Sequence, residues 1–260
     1  MKLALDSISS LLRRAMSDDP PFPPTLLFEE GWMMRLVLEW FSANRAVNHP
    51  LSFDATATWF SEARLASTFL PRYRGDTYAE GYTHADGVIG HFEIGRAGQA
   101  DLSVLPDATE LKVVEAKMFS KLSKGTTHAP RYNQAARNVA CIAEILRLAD
   151  RKPSKVQSLG FYVLAPKEQI DAGVFARFLT KQSLERVVRE RVEDYADPKV
   201  DWFEDWFLPT MEHIVAKCIS WEDVTEFVAA HDPSFGQDLL EFYSHCLRYN
   251  RPPKPGRDTE

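Results

Sequence analysis

Gln99-Ala100-Asp101-Leu102-Ser103-Val104-Leu105, the turn Pro106-Asp107-Ala108-Thr109, and Glu110-Leu111-Lys112-Val113-Val114-Glu115-Ala116-Lys117 form the stretch on which fold and chemistry turn. It reads as two strands joined tightly enough to pair antiparallel. With Asp107 and Ala108 in the turn, cross-strand partners have numbers summing to about 215, which sets Asp101 opposite Val114 and beside Glu115. Period-2 alternation puts Glu115 and Lys117 on one face of their strand. Asp101, Glu115 and Lys117 are therefore expected to converge on one patch. Asp107 is set aside: it lies at the hairpin tip, and at strand rise Glu115 is roughly 26 Å away.

Two carboxylates about 4 Å apart repel by roughly 4 kcal/mol at an effective dielectric near 20, so a proton or a divalent cation belongs between them. All-oxygen ligation suits Mg²⁺ or Mn²⁺, which keep waters and accept a substrate phosphate as a further ligand. A lysine beside such a cation can orient the attacking water or stabilise charge on phosphorus.

An acidic residue on one strand, Glu-x-Lys on its partner, then a basic loop and a helix: this pattern resembles the PD-(D/E)XK nuclease superfamily. Ala100 stands where the family's nominal proline would precede Asp101. The resemblance spans roughly residues 25–165 and implies an α/β fold, a restriction-endonuclease-like mixed sheet flanked by helices, here with a helical C-terminal extension. It implies a metal-dependent nuclease that hydrolyses phosphodiester bonds, with DNA as the expected substrate. Asp101, Glu115 and the Ala116 carbonyl would hold the metal, and Lys117 would position the nucleophile. Such folds often add a glutamate from an N-terminal helix. Glu30 falls on the apolar stripe Glu30, Met33, Val37, Phe41 and is the first choice, with Glu29 as the alternate. Gln134 occupies the position of the family's helix glutamine, while Asn138 stands where some branches place a tyrosine. Lys121, Lys124, Arg131 and Gln134 are the expected substrate contacts. The alternative is a catalytically silent member of this fold that binds nucleic acid or protein.

Outward from this stretch, residues 3–16 suggest an amphipathic helix, and four prolines between Pro20 and Pro24 force an extended connector. An apolar helix is expected over 25–44 with Thr25 as its cap, and a second helix over 54–70. Short strands follow at 87–89, 91–94, 100–105 and 111–119, then a helix over 129–149 and a buried strand over 158–164. The division is a connector (1–24), a nuclease-like core (25–166), an acidic, aromatic-rich helical region (167–250) and a disordered tail (251–260). Trp202, Phe203, Trp206, Phe207 and Trp221 sit among acidic neighbours, which favours a helical core or a homo-oligomer contact over base stacking.

The net charge of −6 excludes a protein that coats nucleic acid with its whole surface. The charge is unevenly placed. Residues 112–155 carry ten basic and three acidic side chains, a net of +7, whereas residues 182–260 carry nine and seventeen, a net of −8. A localised basic site therefore remains open. Cys141, Cys218 and Cys246 lack metal-ligand spacing and read as reduced thiols, which with no membrane span or signal-peptide core points to the cytoplasm. His128 in the basic loop is a further candidate for touching phosphate, and Asp86 a second acidic candidate, with a turn before Gly87 as its other reading. No phosphate-binding loop, nucleophile elbow or dinucleotide fingerprint is present.

Overall fold

The protein is described from a computed structural model covering residues 2–17, 19–95, 101–125, 129–195 and 199–252. The tail calls for 253–260 and the His128 contact lie outside the described residues. An exposed helix α1 (Lys2–Arg14) leads to a single 3₁₀ turn at Pro24–Leu26 and then to α2 (Glu30–Ala43). α2 is capped by Glu29, whose side chain accepts from the Trp32 N–H, and not by Thr25, because the proline-locked turn delays helical geometry by one turn.

Three strands follow, β1 (Thr58–Leu65), β2 (Thr83–Gly90) and the short β3 (Phe92–Ile94), then β4 (Leu102–Val104) and β5 (Glu110–Ala116). The helix α3 (Gln134–Leu148), capped by Asn133, crosses to β6 (Ser158–Ala165). Helices α4 (Lys167–Asp171), α5 (Ala176–Leu179) and α6 (Lys181–Asp194) come next. A broken helical run of α7 (Val200–Trp202), a π-helical turn (Phe203–Phe207) and α8 (Leu208–His213) leads to β7 (Val215–Ser220). The chain finishes with α9 (Trp221–His231) and α10 (Pro233–Asn250).

The main sheet has the order β1-β2-β5-β6-β7. β1, β2 and β5 run antiparallel, whereas β5, β6 and β7 are parallel, so the sheet is mixed. Every residue of β5 is buried, as expected for a central strand covered on both faces. Ile89, Val114, Leu164 and Ile219 point towards α2, α9 and α10. Val88, Val113, Phe161 and Val163 point the other way, towards α3, α6 and the α7–α8 run. Helices thus flank the sheet on both sides. A Cβ on Gly87 would lie 2.8 Å from Met34 Sδ, so the glycine lets α2 settle directly on β2.

Two further expectations fail. Residues 54–70 form no helix; they hold the edge strand β1, because Thr58, Trp59 and Phe60 fit a pleated, half-buried surface better than a helix. Residues 101–117 form no hairpin. β4 pairs instead with β3, with Phe92 opposite Val104, and this short ribbon is an excursion between β2 and β5. Gly90 makes the excursion possible: with φ +150°, it brings β2 so close to the Glu110 carbonyl that a Cβ there would lie 2.3 Å from it. The region beyond 166 is mostly helical, as expected, with one strand added. Its strand β7 extends the sheet, and α10 packs on α2, with Asn250 Nδ2 donating to the Phe28 carbonyl at 2.6 Å.

Candidate active site

The position opposite Glu115 belongs to Asp86. β2 and β5 pair with Gly87 opposite Val114, so the next antiparallel step sets Asp86 against Glu115. The Ala116 N–H donates to Asp86 Oδ2 at 2.7 Å, tying the aspartate to the end of β5. The register therefore directs the two side chains to the same end of β5, and Asp86 is close enough to push the Glu115 carboxyl up.

Glu115 is 1% exposed. Its Oε1 accepts from Lys117 Nζ at 2.5 Å and from Gln134 Nε2 at 2.5 Å, while Oε2 accepts from Asn138 Nδ2 at 3.3 Å. Period-2 alternation brings Lys117 to this face, and the first turn of α3 brings Gln134 and Asn138, four residues apart, over the same carboxylate. Gln134 is itself fixed, since its Oε1 accepts from the Ser123 N–H at 3.1 Å. From the opposite side, Trp221 Nε1 donates to the Lys117 carbonyl at 3.0 Å, so α9 braces the strand's exit.

Burial pushes the Glu115 carboxyl well above the usual carboxylate range, Asp86 adds to the rise, and Lys117 opposes it. Glu30 belongs to the same field. Burial raises its carboxyl as well; a hydrogen bond to its own backbone and the charge of Lys117 pull it back, and Glu29 and Asp86 push it up. Glu29 is spent elsewhere, on the α2 cap and on Arg35 Nη1 at 3.8 Å.

Asp101 is not in this group. Its backbone bridges Arg64 on β1, and its Oδ1 lies 3.2 Å from Arg64 Nε. β2 stands between β1 and β5, so the separation of those strands alone is about 10 Å. The arithmetic that placed Asp101 beside Glu115 assumed pairing across the Pro106–Thr109 turn, and β5 takes both its partners, β2 and β6, from farther along the chain. Asp86 was within reach of sequence reasoning as an acidic residue before Gly87. Its signal was the alternation continuing upstream through Thr83-His84-Ala85, which extends the strand past it.

Glu62 on β1 adds a further carboxylate near Asp86. It sits with φ +61°, uncommon for a non-glycine residue, and forms an ion pair with Arg35 Nη2 at 3.6 Å. Burial and then Asp86 raise its carboxyl, with Arg35 opposing. Lys121, Lys124 and Arg131 are exposed, on the segment that leaves β5 and on the approach to α3.

A second Glu-x-Lys, Glu110-Leu111-Lys112, lies at the start of β5 and makes a useful contrast. Lys112 Nζ bonds Glu110 Oε1 at 2.5 Å and the Ser52 carbonyl at 2.6 Å, and Glu110 Oε2 accepts from the Asp54 N–H at 2.9 Å. That pair pins a loop through backbone groups. At Glu115, by contrast, the partners are side chains and the neighbour is another carboxyl.

Among the described residues, no group of three or more His, Cys, Asp or Glu side chains is arranged to hold a metal ion, and no helix is long and apolar enough to cross a membrane. Compared with known proteins, the chain matches no family model, no curated protein and no solved structure.

Proposed function

We propose that this protein is a divalent-metal-dependent nuclease whose reacting centre is Asp86, Glu115 and Lys117, with Glu30 beside them. The observation that carries the proposal is the pairing of two carboxyls, one of them buried, at the end of the central strand next to a lysine. A buried acidic pair of this kind is unfavourable unless something positive lies between its members. The resemblance to PD-(D/E)XK nucleases also fits the order of elements once Asp86 takes the place expected of Asp101. An acidic residue then lies on one strand, Glu-x-Lys on its antiparallel neighbour, and a glutamine at the start of the following helix.

The donor set suits a hard cation. Mg²⁺ is commonly bound by one or two carboxylates and completes its shell with water and substrate phosphate, so a closed cage of three protein acids is not required. Asp86 and Glu115 would hold it, with the Ala116 carbonyl and Glu30 as the further oxygens named by the resemblance. When bound, such a cation activates water and neutralises charge on a phosphoryl oxygen.

The chain's own groups divide the remaining work. Lys117 Nζ, held against Glu115 Oε1, can donate to the attacking water or to a non-bridging phosphate oxygen as negative charge develops there. Gln134 and Asn138 fix the Glu115 carboxylate, so its orientation is set before substrate arrives. Water oxygen bonds to phosphorus, the bond from phosphorus to one ester oxygen breaks, and the products are a phosphate monoester and a hydroxyl.

The test is incubation of the protein with Mg²⁺ or Mn²⁺ and a panel of plasmid, linear duplex DNA, single-stranded DNA and RNA. Metal-dependent breakdown of DNA, abolished by chelation and absent from Asp86→Asn, supports the proposal. An intact panel under both metals contradicts it and favours a silent, binding-only domain.

A further inference from the structure

A cleft of about 380 Å³ opens beside the candidate site, between the segment leading into α3 and the helices α5 and α6. Lys124, Arg131 and Asn133 line one wall, and Arg177, Phe178 and Arg186 line the other. Among the described lining residues the four cations are exposed, and the one carboxylate, Glu190, is engaged by Arg186 at 2.8 Å. The cleft adjoins the chain segments that hold Glu115. Asn133 caps α3 immediately before Gln134, which holds Glu115, and Ser123, next to Lys124, donates to that same glutamine. Arg177 and Arg186 lie beyond the part of the chain that carries the family resemblance.

We infer that this cleft binds the phosphodiester backbone of a single-stranded stretch of nucleic acid flanking the scissile phosphate. The inference rests on the nuclease reading. Guanidinium groups match phosphate oxygens in a two-pronged geometry, and two of the four cations here are arginines brought in by the C-terminal helices, beside Arg131. Phe178 is partly exposed, with the Arg177 guanidinium 4.7 Å from its ring centroid, which gives the cleft a flat, stackable surface among the charges. Basic grooves with interleaved aromatic rings suit single strands, whose bases are free to stack. A duplex keeps its bases inside and would meet only the rim.

The experiment is fluorescence anisotropy of a labelled 20-nucleotide DNA strand and of its duplex, in EDTA so that no cleavage occurs, across a salt series. Each phosphate contact to a single strand contributes about 0.7 to the salt slope, so Arg177→Gln combined with Arg186→Gln should lower the slope by about 1.4 and weaken binding roughly 10-fold or more. Both positions are exposed, so the melting temperature should stay near wild type. Arg189→Gln, on α6 but turned towards Phe203, is the control and should bind as wild type does. An unchanged affinity and slope in the double variant would overturn the inference, as would tighter binding of the duplex through the same arginines. Cleavage measured in parallel separates the two ideas. A double variant that cuts like wild type removes the cleft and leaves the nuclease. A wild type that binds single strands without cutting under Mg²⁺ or Mn²⁺ removes the nuclease and leaves only the binding cleft.

Discussion

Asp86 and Glu115 stand opposite each other across β2 and β5, one step beyond the pair Gly87 and Val114, with the Ala116 N–H closing on Asp86 Oδ2. Through that pairing, a half-buried aspartate on β2 and a buried glutamate on the central strand become a single chemical unit, which Lys117, Gln134 and Asn138 complete.

Lys117 is the charged donor to the Glu115 carboxylate and, on this account, the group that meets developing phosphate charge. Lys117→Ala should lower the cleavage rate by roughly 10³-fold while folding and DNA binding persist. Initial rates on plasmid DNA, alongside circular dichroism and a binding titration in EDTA, check this. Undiminished cleavage would remove Lys117 from the mechanism.

The raised Glu115 carboxyl has a consequence for stability. Between the ordinary carboxylate value of about 4.3 and its raised value, the folded protein binds a proton that the unfolded chain has lost. Its contribution to stability is therefore fully present at low pH and declines as pH rises through that window. In metal-free protein at pH 8, Glu115→Gln should raise the melting temperature, by about 2–4 °C for each kcal/mol recovered. Added Mg²⁺ or Mn²⁺ should stabilise wild type at that pH and leave Glu115→Gln unmoved. Thermal melts with and without metal measure both effects.

Gln134 holds Glu115 from above. Gln134→Ala removes one donor from Oε1 and the anchor of the Ser123 N–H, and should reduce the rate about 10- to 100-fold. Gln134→Glu places a third carboxyl beside the pair and should be worse than alanine at neutral pH and recover in part on acidification. A pH–rate profile of the two variants distinguishes loss of orientation from added charge.

Trp221 tests whether the C-terminal helices take part. Trp221→Phe keeps most of the buried ring and loses the bond to the Lys117 carbonyl, at a cost of about 1 kcal/mol. Chemical denaturation should report that loss. A fall in the cleavage rate without a matching change in KM would show that α9 positions Lys117.

Much of this was legible in the sequence. The run Ser158–Leu164 lies in the buried strand β6, the helix expected over 129–149 is α3 from Gln134 onward, and Glu115 with Lys117 share a face as period-2 alternation requires. Gln134 is singled out through the family resemblance, within a helix expected from 129; α3 in fact starts at Gln134, whose side chain bonds Glu115. What was not legible was the partner of β5. Its neighbours, β2 and β6, lie far along the chain in both directions, whereas local turn chemistry at Pro106–Thr109 favoured an adjacent hairpin. A one-strand error in pairing was enough to exchange Asp86 for Asp101. The edge strand β1 was missed because its alternation breaks at Glu62, where the backbone turns left-handed.

The most direct test of the account is therefore a parallel measurement of initial DNA cleavage rates, in Mg²⁺, for wild type, Asp86→Asn and Asp101→Asn. Asp86→Asn should be inactive. Asp101→Asn should cut within a few-fold of wild type while losing about 1–2 kcal/mol of stability from its weakened pairing with Arg64. The reverse result, an active Asp86→Asn and an inactive but folded Asp101→Asn, would contradict the site described above.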